Sequence, residues 1–105
     1  MSGLGEMGNL LKQAQEMQRQ LDAARAELRT RSVEGIGAGG LVRVVLNAER
    51  LEVRGVHLAP GVALEARALE EAMAAALRDA LRRAHEAEKE AIGRITGGLN
   101  LPGLL

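Results

Sequence analysis

Leu10, Ala14, Met17, Leu21, Ala24 and Leu28 recur at alternating spacings of four and three residues. That is the period of one helix face, and it predicts a first helix from about Asn9 to Arg31. Asn9 is suited to cap it, because its side chain can accept a bond from a free first-turn amide. Such a rod would be roughly 33 Å long. The pattern then changes to short strand-like runs, namely Ser32–Ile36, Leu41–Asn47 and Leu51–Leu58. The middle run is the strongest, since Val42, Val44 and Leu46 share one face of a pleated strand. Asn47 to Arg50 is a short polar connection suited to a hairpin, and Pro60-Gly61 breaks the chain. Helical period returns from about Glu65 to Ile92, with Leu69, Ala72, Met73, Ala76, Leu77, Ala80, Leu81, Ala84, Ala87 and Ala91 in one broad stripe. Gly97-Gly98 is predicted to stop this helix before an apolar tail, Leu99 to Leu105.

Helix, three strands and helix in that order define an α+β unit with a small antiparallel sheet. At 105 residues the expectation is one domain over residues 1–105. Composition sharpens this picture, because the chain has no Phe, Tyr or Trp. Aromatic side chains ordinarily bury about 150–250 Å² each, so a core of Leu, Val, Ile, Met and Ala is thin. A thin core beside an apolar strand face argues that a second copy completes it. Leu41, Val42, Val44, Leu46 and Val53 are the expected dimer contacts. The lack of aromatics also removes the stacking platforms that single-strand binders use.

The backs of both helices carry charge. Lys12, Gln15 and Arg19 lie opposite the first apolar stripe, and Arg78, Arg82, His85 and Lys89 lie opposite the second. Two readings stand side by side, a solvated helix face and a surface for a polyanion. Asp79 can pair with Arg83 at a spacing of four, which favours the first; the arginine fork matches phosphate, which favours the second. With 14 basic and 14 acidic residues the formal net charge is zero, so any polyanion binding requires segregated charge.

Catalytic chemistry finds no foothold in the sequence. Gly35-Ile36-Gly37-Ala38-Gly39-Gly40 fits the letters of a dinucleotide-binding loop. However, a polar helix precedes it and a strand follows it, so it reads as a flexible turn between the first two strands. His57 and His85 have no partner at metal-ligand spacing, and no Ser, Thr or Cys has the setting of an activated nucleophile. Neither a catalytic residue, a metal, a cofactor nor a small-molecule substrate is therefore expected. The chain has no cysteine, no basic flank leading into an apolar run and no membrane-length apolar stretch, which fits a cytoplasmic protein without membrane contact.

Several separate segments resemble the YbaB/EbfC family of bacterial nucleoid-associated proteins. They are Gly8 to Met17, Gly37 to Val44, Val56 to Pro60, Ala74 to Ala80 and Gly98 to Gly103. The resemblance implies an α-β-β-β-α unit that forms a homodimer through its sheets, with long helices projecting as arms. It implies double-stranded DNA as the partner, loose sequence preference, a place in the nucleoid and a part in gene regulation. By location on the arms it implicates Lys12, Gln15 and Arg19, together with Arg78, Arg82, Arg83, Lys89 and Arg94, in DNA binding. The competing expectation is a helical protein–protein adaptor without direct DNA contact.

Overall fold

In a computed structural model, residues 2–96 are described. Helix α1 (Ser2–Thr30) leads into β1 (Ser32–Gly37), a tight turn at Ala38–Gly40, β2 (Val42–Asn47), β3 (Val53–Leu58) and α2 (Ala66–Thr96). The predicted order of elements and the antiparallel sheet are both present, with strand order β1-β2-β3. The expected stop at Gly97-Gly98 and the apolar tail lie outside the described residues.

Helix α1 starts seven residues before the expected Asn9 cap, and Asn9 sits inside the helix. Leu4, Met7, Leu11 and Ala14 extend the helical spacing upstream, and propagation gains a hydrogen bond for each residue added. The glycines at 3, 5 and 8 are tolerated inside the helix, where nothing lies within 4 Å of a Cβ at any of them.

The sheet is organised by its register. Gly35 faces Val44 and Val44 faces Val56; Gly37 faces Val42 and Val42 faces Leu58; Val33 faces Leu46 and Leu46 faces Val53. Cross-strand partners share a face, so these nine residues make one surface of the sheet. Arg54 is the extra residue of a bulge between the Val45 and Leu46 pairings. Helix α2 covers this surface over β1 and β2, where Val42, Val44 and Leu46 are buried with Ala72, Ala76 and Ala80. Burying a Val or Leu side chain is worth about 1.5–3 kcal/mol, so these three strand residues supply much of a small core.

The contact with β1 is closer than side chains would permit. A Cβ on Gly35 would lie 2.7 Å from Ala80 Cα and closer still to the Ala76 carbonyl oxygen and the Ala80 nitrogen. A Cβ on Gly37 would meet the backbone of Ala72 and Ala76. This corrects the reading of the whole glycine run as a flexible turn. Gly37 is extended at φ −135°, and only Ala38, Gly39 and Gly40 turn the chain, with φ of 51°, 66° and 98°. Gly35 and Gly37 are strand residues whose missing side chains admit the alanine face of α2.

A second cluster joins the arm to the sheet. Leu28, near the end of α1, is buried with Ala48 and Ala87, and Val33 and Ala91 pack against them. Asn47, only 3 % exposed, donates from its side chain to the Arg29 carbonyl at 2.6 Å, while its Oδ1 accepts from the Glu49 and Arg50 amides. Arg54 donates to the same Arg29 carbonyl at 3.0 Å, and the Ala48 amide donates to Arg31. The open carbonyls at the end of α1 are thus satisfied by the hairpin. Beyond this joint Met17, Leu21 and Ala24 are half-buried, whereas Leu4, Met7, Leu10 and Leu11 are exposed.

Gly35→Ala is expected to cost about 3 kcal/mol or more, because rigid backbone opposes the added methyl. Gly39→Ala enters open space and should cost only about 1 kcal/mol, for its left-handed φ. Urea denaturation of the two variants measures the difference, and equal losses would mean that α2 does not rest on β1.

Candidate nucleic-acid interface

The α2 ridge is built by its alanine face. With Ala72, Ala76, Ala80, Ala84 and Ala87 buried, Arg78, Arg82, His85 and Lys89 are turned to solvent along roughly 16 Å of helix. On α1, Lys12, Gln15 and Arg19 are likewise exposed. Arg83 and Arg94 are exposed too, but they leave α2 at a different angle, nearer its packed side.

Ion pairing divides these cations into two sets. Arg82 donates to Asp79 Oδ1 at 2.8 Å and to Glu86 Oε1 at 2.9 Å, and Arg83 donates to Asp79 Oδ2 at 3.1 Å. The expected Asp79–Arg83 pair is therefore formed. Arg94 pairs with Glu90 at 3.0 Å, and Arg19 grips both oxygens of Glu16. Among the described residues no ion pair involves Lys12, Arg78 or Lys89, in contrast to the four arginines just named. Those three are the cations presented without a carboxylate partner at the sites sequence reasoning selected. Arg25, Arg31 and Arg54 are also without ion pairs among the described residues. They were missed because they lie off the two opposite-face rows, near the end of α1 and on β3.

Asp79 is anchored beyond its arginines. Its Oδ2 accepts the Ile36 amide of β1 at 2.9 Å, which satisfies a donor on the open edge of the sheet. That backbone bond first, then Arg82 and Arg83, hold its carboxyl down from 3.8 to about 2. The Glu16 carboxyl is lowered in the same sense, chiefly by its hydrogen bond from Arg19.

The five residues expected at a dimer contact separate as well. Val42, Val44 and Leu46 are already covered by α2 of their own chain, so they offer no free surface. Leu41 and Val53 remain 38 % and 59 % exposed. The open apolar surface lies on the β3 side instead, at Val53, Val56, Leu58, Leu77 and Leu81. There an apolar groove of about 240 Å³ runs between Val53 and Val56 on one side and Met73, Ala74 and Leu77 on the other, with Val44 at its floor. Sequence reasoning assigned Leu77 and Leu81 to the helix's packed stripe, because periodicity does not reveal how far a sheet extends beneath a helix.

Among the described residues no three His, Asp or Glu side chains gather as a metal site would need. No helix of the described residues is long and apolar enough to cross a membrane.

Exposed basic rows on two long helices, carried by a small three-stranded antiparallel sheet, define an α-β-β-β-α unit with two charged arms. Over residues 3–99 the chain matches the YbaB/EbfC DNA-binding family, and it belongs to that family. This family is not one of enzymes. Similar proteins include two named as nucleoid-associated proteins, from Rhodopseudomonas palustris strain HaA2 and strain CGA009. Each is 43 % identical over 95 residues, which is 89 % of this chain and 89 % of the relative.

The depressed Asp79 carboxyl sets an acid limit on stability. A group whose folded pKa lies below its unfolded value stabilises above the unfolded value and loses that contribution as pH falls through the folded one. The window therefore runs from about pH 4 down to about pH 2. Asp79→Asn should be less stable than the parent at pH 6, with the gap closing across this window. Denaturant midpoints measured at several pH values test this; a gap independent of pH would remove Asp79 from the acid response.

Proposed function

We propose that this protein is a nucleoid-associated protein that binds double-stranded DNA as a homodimer, acting at the phosphate backbone with weak sequence preference. Membership of a DNA-binding family and the names of its relatives support DNA as the partner and the nucleoid, within the cytoplasm, as its place. The observation that carries the mechanism is the exposed, carboxylate-free set Lys12, Arg78 and Lys89 on the two helices. Gln15 and the ion-paired Arg19, Arg82, Arg83 and Arg94 flank them. Phosphate contacts orient a protein on the duplex but carry no sequence information directly. With no dense group of base-reading side chains on either helix, preference among sequences rests on DNA shape and deformability. Bound copies that alter the local path of the duplex would contribute to nucleoid organisation and to gene regulation.

The homodimer rests on the β3 side of the sheet. Val53, Val56, Leu58 and Leu77 form an open apolar surface continuous with the groove beside α2, and a second copy supplies a matching surface. This keeps the expectation of a dimer while moving its contacts away from β2. Residues 1–105 then act as one DNA-binding unit, with no catalytic step, cofactor, small-molecule substrate or membrane in its action.

One observation favours a second reading. Leu4, Met7, Leu10 and Leu11 give the outer part of α1 an exposed apolar character suited to gripping a partner helix.

A gel-shift titration against salt, with unrelated duplexes, separates the two. Lys12, Arg78 and Lys89 of both protomers, six cations per dimer, predict a slope of log K against log salt of about −5. Lys12→Gln/Lys89→Gln removes four of them, so the slope should flatten to about −2. Affinity should fall by a similar factor for every duplex, with circular dichroism unchanged. A salt-independent response, or binding equal to the parent's, would favour the adaptor reading.

A further inference from the structure

Resting on that reading, we propose that Asp79 is a positioning residue that holds Arg82 and Arg83 away from the DNA phosphates and so sets the protein's affinity. Arg82 lies in the middle of the solvent-facing ridge, four residues beyond Arg78 and seven before Lys89. Phosphate binding by this row would be continuous if Arg82 were available. Instead its guanidinium is held on both sides, by Asp79 at 2.8 Å and Glu86 at 2.9 Å.

The two carboxylates are not equivalent. Glu86 is a surface partner with its side chain 61 % exposed, and exposed pairs of this kind hold weakly. Asp79 has its side chain only 19 % exposed and is fixed by the backbone bond from Ile36. Its second arginine, Arg83, is held from the same carboxylate at 3.1 Å. One carboxylate, oriented by the sheet edge, thus occupies the donors of two arginines with the oxygen chemistry that a phosphate would offer. To contact DNA, either arginine must leave an anion that cannot follow it. Along the ridge only Arg78 and Lys89 stand without a carboxylate partner among the described residues.

Replacing Asp79 by Asn separates its two roles. The amide oxygen can still accept the Ile36 amide, while the charge that holds Arg82 and Arg83 is lost. The test is a salt titration of binding to a random-sequence duplex by the parent, Asp79→Asn, Glu86→Gln and Glu88→Gln. Glu88→Gln makes the same change in net charge on the same helix, at a carboxylate that makes no ion pair among the described residues.

Asp79→Asn should bind at least about threefold more tightly at low salt, with a slope steeper by about 0.9 for each phosphate gained. Glu86→Gln, which leaves the sheet edge untouched, should shift affinity in the same direction by less. Glu88→Gln should keep the parent's slope. Circular dichroism and a denaturant midpoint check that Asp79→Asn is folded; should it unfold, Asp79→Ser, which also removes the charge and keeps an acceptor oxygen, takes its place, and a folded Asp79→Ser with the parent's slope overturns the proposal. A folded Asp79→Asn with the parent's slope overturns it too, as does an equal gain from Glu88→Gln. Absence of DNA binding by the parent would instead refute the proposed function on which this rests.

Discussion

The contact between the alanine face of α2 and the bare backbone of β1 is the constraint on which the rest of the fold depends. Gly35 and Gly37 allow the helix backbone to approach where any side chain would collide with Ala72, Ala76 or Ala80. Close packing of this sort gains dispersion contacts over a long line, which offsets the absence of aromatic side chains. It also places the helix to one side. By lying against β1, α2 covers β2 and leaves Val53, Val56 and Leu58 of β3 exposed. The same position brings Asp79 to the outer edge of β1, where it accepts the Ile36 amide and orders two arginines beside it.

The arm is coupled to this platform by a polar joint. Asn47 ends β2 and begins the hairpin turn, yet its side chain is buried and reaches the end of α1. A buried amide is costly unless its donors and acceptors are met, and here both ends are met by backbone groups. With Leu28 packed on Ala48 and Ala87, the direction of α1 is set relative to the sheet. The cations on α1 and α2 are therefore carried by one connected framework.

Much of this was legible from the chain. Apolar periods of 3.6 and 2 located both helices and all three strands to within a few residues at most boundaries, because those periods follow directly from burial on one face. The start of α1 was not legible, since Gly8-Asn9 has the composition of a helix entrance and nothing local distinguishes it from helix interior. The glycine run was misread for a related reason. Composition shows that Gly35 and Gly37 lack side chains but not whether that freedom serves a turn or a helix lying against the strand. Of the candidate site, the exposed rows were readable from angle alone, and so was the pairing of Asp79 with Arg83. The hold on Arg82, the Ile36 bond and the exposure of β3 depend on tertiary placement. Val42, Val44 and Leu46 were rightly seen as an apolar face, but only the position of α2 determines that their own chain covers it.

The central claim is that α2 occupies one half of the sheet and leaves the β3 half for a second copy. Sedimentation equilibrium of the parent and of Val56→Asp at micromolar concentration tests it most directly. Val56 is 46 % exposed on the β3 side, so a charge there can remain solvated in the separated protomer. The account predicts a parent of twice the 11.1 kDa chain mass, and a Val56→Asp protein that keeps its circular dichroism but sediments at the chain mass. A monomeric parent, or a Val56→Asp protein that stays dimeric, would contradict it.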